Sequence, residues 1–393
     1  MKEKEILEKS KALFPKMQKI RREIHSNPEL SFEEYQTCKY IQDRLNELGI
    51  ENKVIGKTGV VATIGYGDNC VGLRADIDAL PIQEETGLEF ASKNDGIMHA
   101  CGHDMHTTML IGAAEILKGI EDELGGIVKL IFQPGEEKLP GGASVLIEEG
   151  VLENPKVNAI FGQHIYPGES EGIVSLNSGP VMGAPDELYF TIKGKSTHAA
   201  QPQLGHDPIV AASQLIIHFQ TLMTKYKDPI EAGVLSITSI KGGNATNIIP
   251  DEVKLMGTLR SFNENWREQM HKLIEENSIA LCAMYGCEIE VDIKKGYPPV
   301  INDEKLTDLT RKNSVNIVGS ESTIEFLPKM WGEDFAYYGK NIPSTFWFTG
   351  VRPLGQDEMP ALHNSKLSPS ENGMPIGTAM LVSAAINYLK GDL

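Results

Sequence analysis

Apolar residues recur at helical spacing through residues 3–24, so that stretch reads as one amphipathic helix ending near Asn27-Pro28. Ser31-Phe32-Glu33-Glu34 then has the form of a capping box, in which a serine hydroxyl and a glutamate three residues on satisfy the first free amides of a helix. The apolar positions behind it continue to Leu48, and Gly49 stops them. Residues 60–64 and 70–73 are short β-type runs joined by a glycine-containing turn, which predicts a hairpin. The second run leads into Arg74-Ala75-Asp76-Ile77-Asp78. Aspartates at the end of a buried strand stand where site residues sit in an open α/β sheet. An apolar-periodic helix follows over residues 107–117, then a continuous apolar strand over 126–132 that runs into Gln133-Pro134-Gly135-Glu136-Glu137. A helix over 143–149 and a strand over 159–162, ending in Gln163-His164, complete a β-α-β-α order. Such an order predicts a mostly parallel sheet with polar groups delivered along one edge.

After Gly179-Pro180 the texture changes. Residues 187–193 read as a strand, 208–225 as a helix, 233–240 and 253–261 as strands, 264–285 as a helix and 288–294 as a strand. That is the split β-α-β-β-α-β pattern of ferredoxin-like units. The α/β texture resumes near Gly296, with a helix near 306–313, a strand at 345–349 and a closing helix over 371–389. The expected fold class is α/β, a mostly parallel or mixed sheet domain carrying an inserted α+β ferredoxin-like lid.

Composition narrows the partners. A chain of 393 residues exceeds one ordinary core. Its 41% hydrophobic and 23% charged residues describe a soluble globular protein. A net charge of −17 argues against nucleic acid or an anionic membrane surface, which need basic patches. The charged start Met1-Lys2-Glu3-Lys4-Glu5 lacks the apolar core of a signal peptide, and no apolar run is long enough to span a bilayer. The five cysteines are odd in number and form no CxxC pair, which fits a reducing, cytoplasmic location.

Chemistry concentrates in His99-Ala100-Cys101-Gly102-His103-Asp104-Met105-His106, which holds three of the ten histidines. Thiolate, imidazole and carboxylate are ligands for a borderline metal such as zinc or manganese. Gly102 allows the bend that turns Cys101 and His103 toward one ion. Glu136, Glu137, His164 and His363 all stand at or just beyond strand ends, and together they could serve a pair of ions. In the Glu136-Glu137 pair one carboxylate can bind metal while its neighbour moves protons. His198, in the inserted segment, is a candidate oxyanion donor. His99 and His106 read as supporting or packing groups, and His25, His218 and His271 as helix packing.

These motifs resemble those of a known family. Leu73-Arg-Ala-Asp-Ile-Asp-Ala-Leu-Pro81, His99 to His106, Gln133 to Glu137, Gly162-Gln-His164, Lys193-Gly-Lys-Ser-Thr-His-Ala-Ala200, Thr246-Asn-Ile-Ile-Pro250, Gly332-Glu-Asp-Phe335 and Leu362-His-Asn364 occur in that family's order. The chain is similar to the amidohydrolase branch of the dinuclear metallopeptidases, which includes aminoacylases, hippurate hydrolases, auxin-conjugate hydrolases and N-acetyl-diaminopimelate deacetylases. The resemblance implies two divalent metals, zinc or manganese with cobalt or nickel as in-vitro substitutes, on Cys101, His103, Glu137, His164 and His363. It implies Glu136 as general base, Asp78 as an orienting carboxylate and His198 as the donor to the tetrahedral intermediate, in its own subunit or a partner's. Asn247 and Arg260 would engage the substrate, the guanidinium suiting a free carboxylate. It also implies a catalytic domain from 1–184 and 295–393, with a dimerising lid over 185–294 and a homodimer or homotetramer as the assembly. Two local departures, Lys138-Leu139-Pro140 after the glutamate pair and Asn364-Ser365-Lys366 after His363, bear on substrate choice.

The expected reaction is hydrolysis of a small N-acyl amino acid. A dipeptidase or carboxypeptidase on the same metals is the near alternative. Gly168-Glu169-Ser170-Glu171-Gly172 fits the serine-hydrolase GxSxG pattern, but a nucleophile elbow must lead from strand into helix. A metal-dependent binding protein would have no need of Glu136.

Overall fold

Four strands rich in apolar residues lie side by side and parallel, in the order Ile127–Gln133, Cys70–Asp76, Ala159–Ser170 and Ser344–Arg352. Cys70–Asp76 is buried at every position, because both faces of the sheet carry helices or loops. Around these four the sheet extends to eight strands. Asn52–Ile55 and Gly59–Gly65 join antiparallel on one side, and Val174–Leu176 and Thr323–Glu325 complete the other. The computed structural model describes residues 1–391. It divides into two compact units, one of Met1–Val181, Ile301–Leu327 and the chain from Asp334 onward, the other of Met182–Val300 and Pro328–Glu333. The six residues Pro328–Glu333 thus belong with the inserted unit rather than with the closing α/β segment.

Helices His103–Lys118 and Met374–Leu389 form the heart of the first unit. Each buries fourteen of its sixteen residues, as a helix does when apolar positions run around most of its circumference. His103–Lys118 also carries site residues in its first turn, so the core of the unit anchors them directly.

Three local expectations are corrected. The stretch 3–24 is two helices, Glu3–Ala12 and Phe14–His25, because Pro15 has no amide to continue the ladder and its ring crowds the preceding turn. Ser31 caps nothing: the next helix is Tyr35–Glu47, and the carboxylate of Glu29 accepts from the amides of Gln36 (3.1 Å) and Thr37 (2.8 Å). The hairpin is absent, since Ile127–Gln133 inserts between Gly59–Gly65 and Cys70–Asp76.

The second unit is a four-stranded antiparallel sheet in the order Gly233–Lys241, Glu252–Ser261, Ala184–Lys193, Glu288–Lys295. Numbered along the chain this is 2-3-1-4, the split β-α-β arrangement. Helices Pro208–Lys225 and Glu264–Met284 cover one face over a core that includes Phe190, Phe219, Leu255 and Ile274. Asp207 and Asn263 cap them, accepting from Ile209 N at 2.8 Å and Trp266 N at 3.1 Å. No helix among the described residues is long and apolar enough to cross a membrane.

Candidate metal centre

The parallel strands end on one side of the first unit, and their loops converge there. Cys101 and His103 flank Gly102, whose φ of +88° makes the turn into helix His103–Lys118. A Cβ on Gly102 would stand 2.2 Å from Ile165 Cδ1, so only glycine lets the loop approach strand Ala159–Ser170. His164 lies within that strand, with its Nε2 3.3 Å from Cys101 Sγ. His363 comes from a distant loop tied to the same place: its amide donates to Ala100 O at 2.8 Å, and its Nε2 is 3.1 Å from Glu137 Oε1.

Partners on the far side of each ring decide which nitrogen faces inward. His103 Nδ1 is 2.9 Å from Asp78 O, a carbonyl that only accepts, so Nδ1 carries a hydrogen and, in the neutral ring, Nε2 has the lone pair. His164 Nδ1 likewise donates to Ile165 O at 2.7 Å. In the neutral rings both Nε2 atoms are the nitrogens that could face an ion. Asp78 does more than hold His103: its Oδ2 accepts from Ser31 Oγ at 2.6 Å and from the Glu137 amide at 3.0 Å. Ser31, read from the sequence as a helix cap, is in fact a support for this carboxylate.

Three overlapping triads have their ligand atoms within 4.8 Å of one another: Cys101, His103 and His164; Cys101, Glu137 and His363; His103, Glu136 and Glu137. One buried atom among them, His103 Nε2, has no hydrogen-bond partner, and buried Glu137 Oε1 has only His363 Nε2, at 3.1 Å, close to it. Burial without a partner costs about 1–3 kcal/mol for a neutral polar group and more for a charged one. Electrostatics points the same way. Burial, then Glu137, Glu136 and Asp76, hold the Cys101 thiol well above its ordinary value. Burial opposes a charge on His103, yet Asp76, Asp78 and Glu137 outweigh it and push the imidazole up to about 10. A region that drives protons onto a thiol and an imidazole is strongly negative, and a divalent cation is the counter-charge these soft and borderline donors fit.

His106 is not free to join them. Its Nδ1 is 2.6 Å from Asp76 Oδ1, and its Nε2 accepts from the Ile165 amide at 2.9 Å, so both nitrogens are committed. Below lies a buried network that sequence reasoning did not assemble. Arg74 donates to Asp76 Oδ2 (2.7 Å) and to Asp334 Oδ1 (2.8 Å), while Asp334 Oδ2 accepts from Gln133 Nε2 (2.8 Å) and the Ala143 amide (2.9 Å). The available signal was an arginine in the middle of an apolar strand, which must bring counter-charges with it. Nor is His25 mere packing. Its Nδ1 is 2.9 Å from Asp104 Oδ2 and its Nε2 3.2 Å from Glu84 Oε1; burial opposes its charge, but Asp104 and Glu84 raise it to about 9. His99 is buried with neither nitrogen bonded, and burial lowers it to about 4.

The second unit holds the other three candidates. His198 is exposed on the two-residue strand Thr197–His198, opposite Ile248. Its Nδ1 accepts from the Ala200 amide at 3.1 Å, which puts the hydrogen on Nε2. Asn247 is exposed beside it, its carbonyl accepting from the Ala199 amide at 3.0 Å. Arg260 is half-buried on strand Glu252–Ser261, and its guanidinium makes no hydrogen bond or ion pair among the described residues. Ser170 of the GxSxG match ends strand Ala159–Ser170, and the chain continues into strand Val174–Leu176, so no nucleophile elbow is built.

A model of peptidase family M20/M25/M40 matches residues 72–387. The Arabidopsis thaliana protein named IAA-amino acid hydrolase ILR1-like 4 is 40% identical over 389 residues, 98% of this chain and 88% of the relative. N-acetyl-L-cysteine deacetylase of Bacillus subtilis is 43% identical over 335 residues, 84% of this chain and 79% of the relative. The crystal structure of a dinuclear metal binding peptidase of the M20 family from Bacillus subtilis superposes with a TM-score of 0.83 at 35% identity, covering 97% of this chain and 99% of the other.

Proposed function

The chain is a hydrolase of peptidase family M20/M25/M40, and we propose that it cleaves the amide bond of small N-acyl amino acids, releasing a carboxylic acid and a free amino acid. The observation that carries this reading is the placement of buried Glu136 beside Glu137 and His103, with ligand atoms of all three within 4.8 Å. Two divalent metals, zinc or manganese, held by Cys101, His103, Glu137, His164 and His363, would polarise the amide carbonyl and acidify a water. Glu136 takes the proton of the attacking water and returns it to the departing nitrogen. Asp78 keeps His103 in its ligating tautomer and holds the Glu137 backbone. His198 offers Nε2–H to the oxyanion, a role its tautomer supports. Asn247 and Arg260 engage the substrate, Arg260 taking its free carboxylate; a half-buried guanidinium without a carboxylate of its own suits that task. The names of the two relatives above, an amino-acid conjugate hydrolase and a deacetylase, support the substrate class. The enzyme is cytoplasmic, in keeping with five free cysteines, and self-associates through the second unit.

The test is a panel of acetyl-amino acids, benzoyl-amino acids and dipeptides, run on chelated protein with Zn²⁺, Mn²⁺ or Co²⁺ restored. Release from the acyl substrates that returns with metal is expected. Turnover of dipeptides alone would replace the reading by a dipeptidase. Light scattering of the purified chain, with and without residues 182–300, tests the assembly.

A further inference from the structure

Glu34 is fully buried, and the mechanism above does not use it. Its carboxylate has no cationic partner among the described residues. Oε2 accepts from Thr58 Oγ1 at 2.6 Å, and Oε1 accepts from two amides, Phe32 N and Gly135 N, each at 2.8 Å. Gly135 directly precedes Glu136. Its carbonyl is held as well, accepting from the Gly142 amide at 3.0 Å. Both polar atoms of this residue are therefore tied, and the chain enters Glu136 from a point that cannot drift.

Sterics tighten the same place. Gly135 has a φ of +60°, and a Cβ there would stand 2.4 Å from Phe32 Cζ. Phe32 itself has a φ of +66°, which a bulky residue rarely adopts without compensation. Its amide hydrogen bond to Glu34 Oε1 and its ring against Gly135 supply that compensation. Two residues along, the Glu137 amide is held by Asp78, which is held in turn by Ser31. Residues 31–34 thus grip the Gly135–Glu137 backbone at two of its amides, one directly and one through Asp78.

We propose that Glu34 is a positioning residue for the hydrolytic step, setting the carboxylate of Glu136 through the Gly135 amide. The proposal rests on the role of Glu136 given above. What Glu34 supplies is an acceptor oxygen at a defined place, not a negative charge. A base displaced by about an ångström can cost on the order of a hundredfold in rate.

Glu34→Gln and Glu34→Asp separate place from charge, and each is studied as metal-loaded enzyme beside Glu136→Gln. Glutamine keeps the acceptor for Gly135 and can donate to Thr58, so kcat within about threefold of the parent is expected. Aspartate keeps the charge but is one methylene shorter, so kcat falls by about tenfold to a hundredfold, with KM and metal content near the parent values. Full kcat in Glu34→Asp overturns the proposal, as does a loss that appears only in KM or that follows metal content. Glu34→Ala adds a third point if it folds; the glutamine–aspartate comparison decides without it. Full activity in Glu136→Gln would instead remove the reading on which the proposal stands, whereas inactive Glu136→Gln beside fully active Glu34→Asp removes the proposal alone.

Discussion

Carboxylates do four different jobs around this site, and neighbours decide which. Glu137 turns a buried oxygen toward the Nε2 of His363, 3.1 Å away, where a cation between the two would be bound by both. Asp78 is consumed by His103, Ser31 and the Glu137 amide, and those donors lower it although burial pushes the other way. Asp104 is lowered far more, by Arg21 and His25 against the same burial. Glu34 meets only neutral donors, so burial dominates and raises it to about 7. Two predictions follow at this scale. Glu136→Gln should lower kcat by about 10²–10⁴ with metal stoichiometry unchanged by elemental analysis. Glu34 is raised above its unfolded value, so its contribution to stability is present below about 4.5 and is lost as pH rises through about 7. Urea midpoints between pH 5 and 8 should therefore fall with rising pH in the parent and less steeply in Glu34→Gln.

At the scale of elements, the ends of helices carry more meaning than their middles. The middles were legible from periodicity: Pro208–Lys225 was read to the residue, and Glu264–Met284 and Glu288–Lys295 to within one. Asp207 and Asn263 cap those two helices locally, whereas the ends of other helices depend on side chains arriving from outside the helix. Glu29 caps Tyr35–Glu47 from outside the helix, through the amides of Gln36 and Thr37. Glu29→Ala should cost about 1 kcal/mol in urea unfolding. The first turn of His103–Lys118 is held by Arg21 Nε and His25 Nδ1 on Asp104 Oδ2, at 3.0 and 2.9 Å. Arg21→Met leaves that buried carboxylate with one cation fewer and should destabilise the chain by about 3–5 kcal/mol. Such a loss would show as a lowered thermal midpoint even in metal-loaded protein. No local pattern announces these contacts, since Asp104 is 83 residues from Arg21 and 79 from His25.

For the whole molecule, the site stores electrostatic tension that a cation relieves. Cys101 and His103 are both pushed toward protonation by the acidic groups around them. A ligand that binds only the folded state raises the unfolding midpoint with its concentration. Scanning calorimetry should therefore show a lower midpoint after chelation and recovery on adding Zn²⁺ or Mn²⁺, whereas an unchanged midpoint would argue that the cluster holds no ion. Fold class and family were visible in the motifs, because side-chain chemistry and hydrophobic period are properties of single residues and their near neighbours. Cys101, His103, Glu136, Glu137, His164 and His363 stood out for the same reason, and folding brings them together. Strand order was not visible: Gly59–Gly65 and Cys70–Asp76 look like a hairpin until Ile127–Gln133 comes between them. Ser31 and Glu34 looked like a local cap, yet their partners Asp78 and Gly135 lie 47 and 101 residues away. Read alone, the chain names the chemical groups; folding chooses which nitrogen of each histidine faces inward and which carboxylates are taken up by hydrogen bonds, because those choices belong to contacts between distant segments.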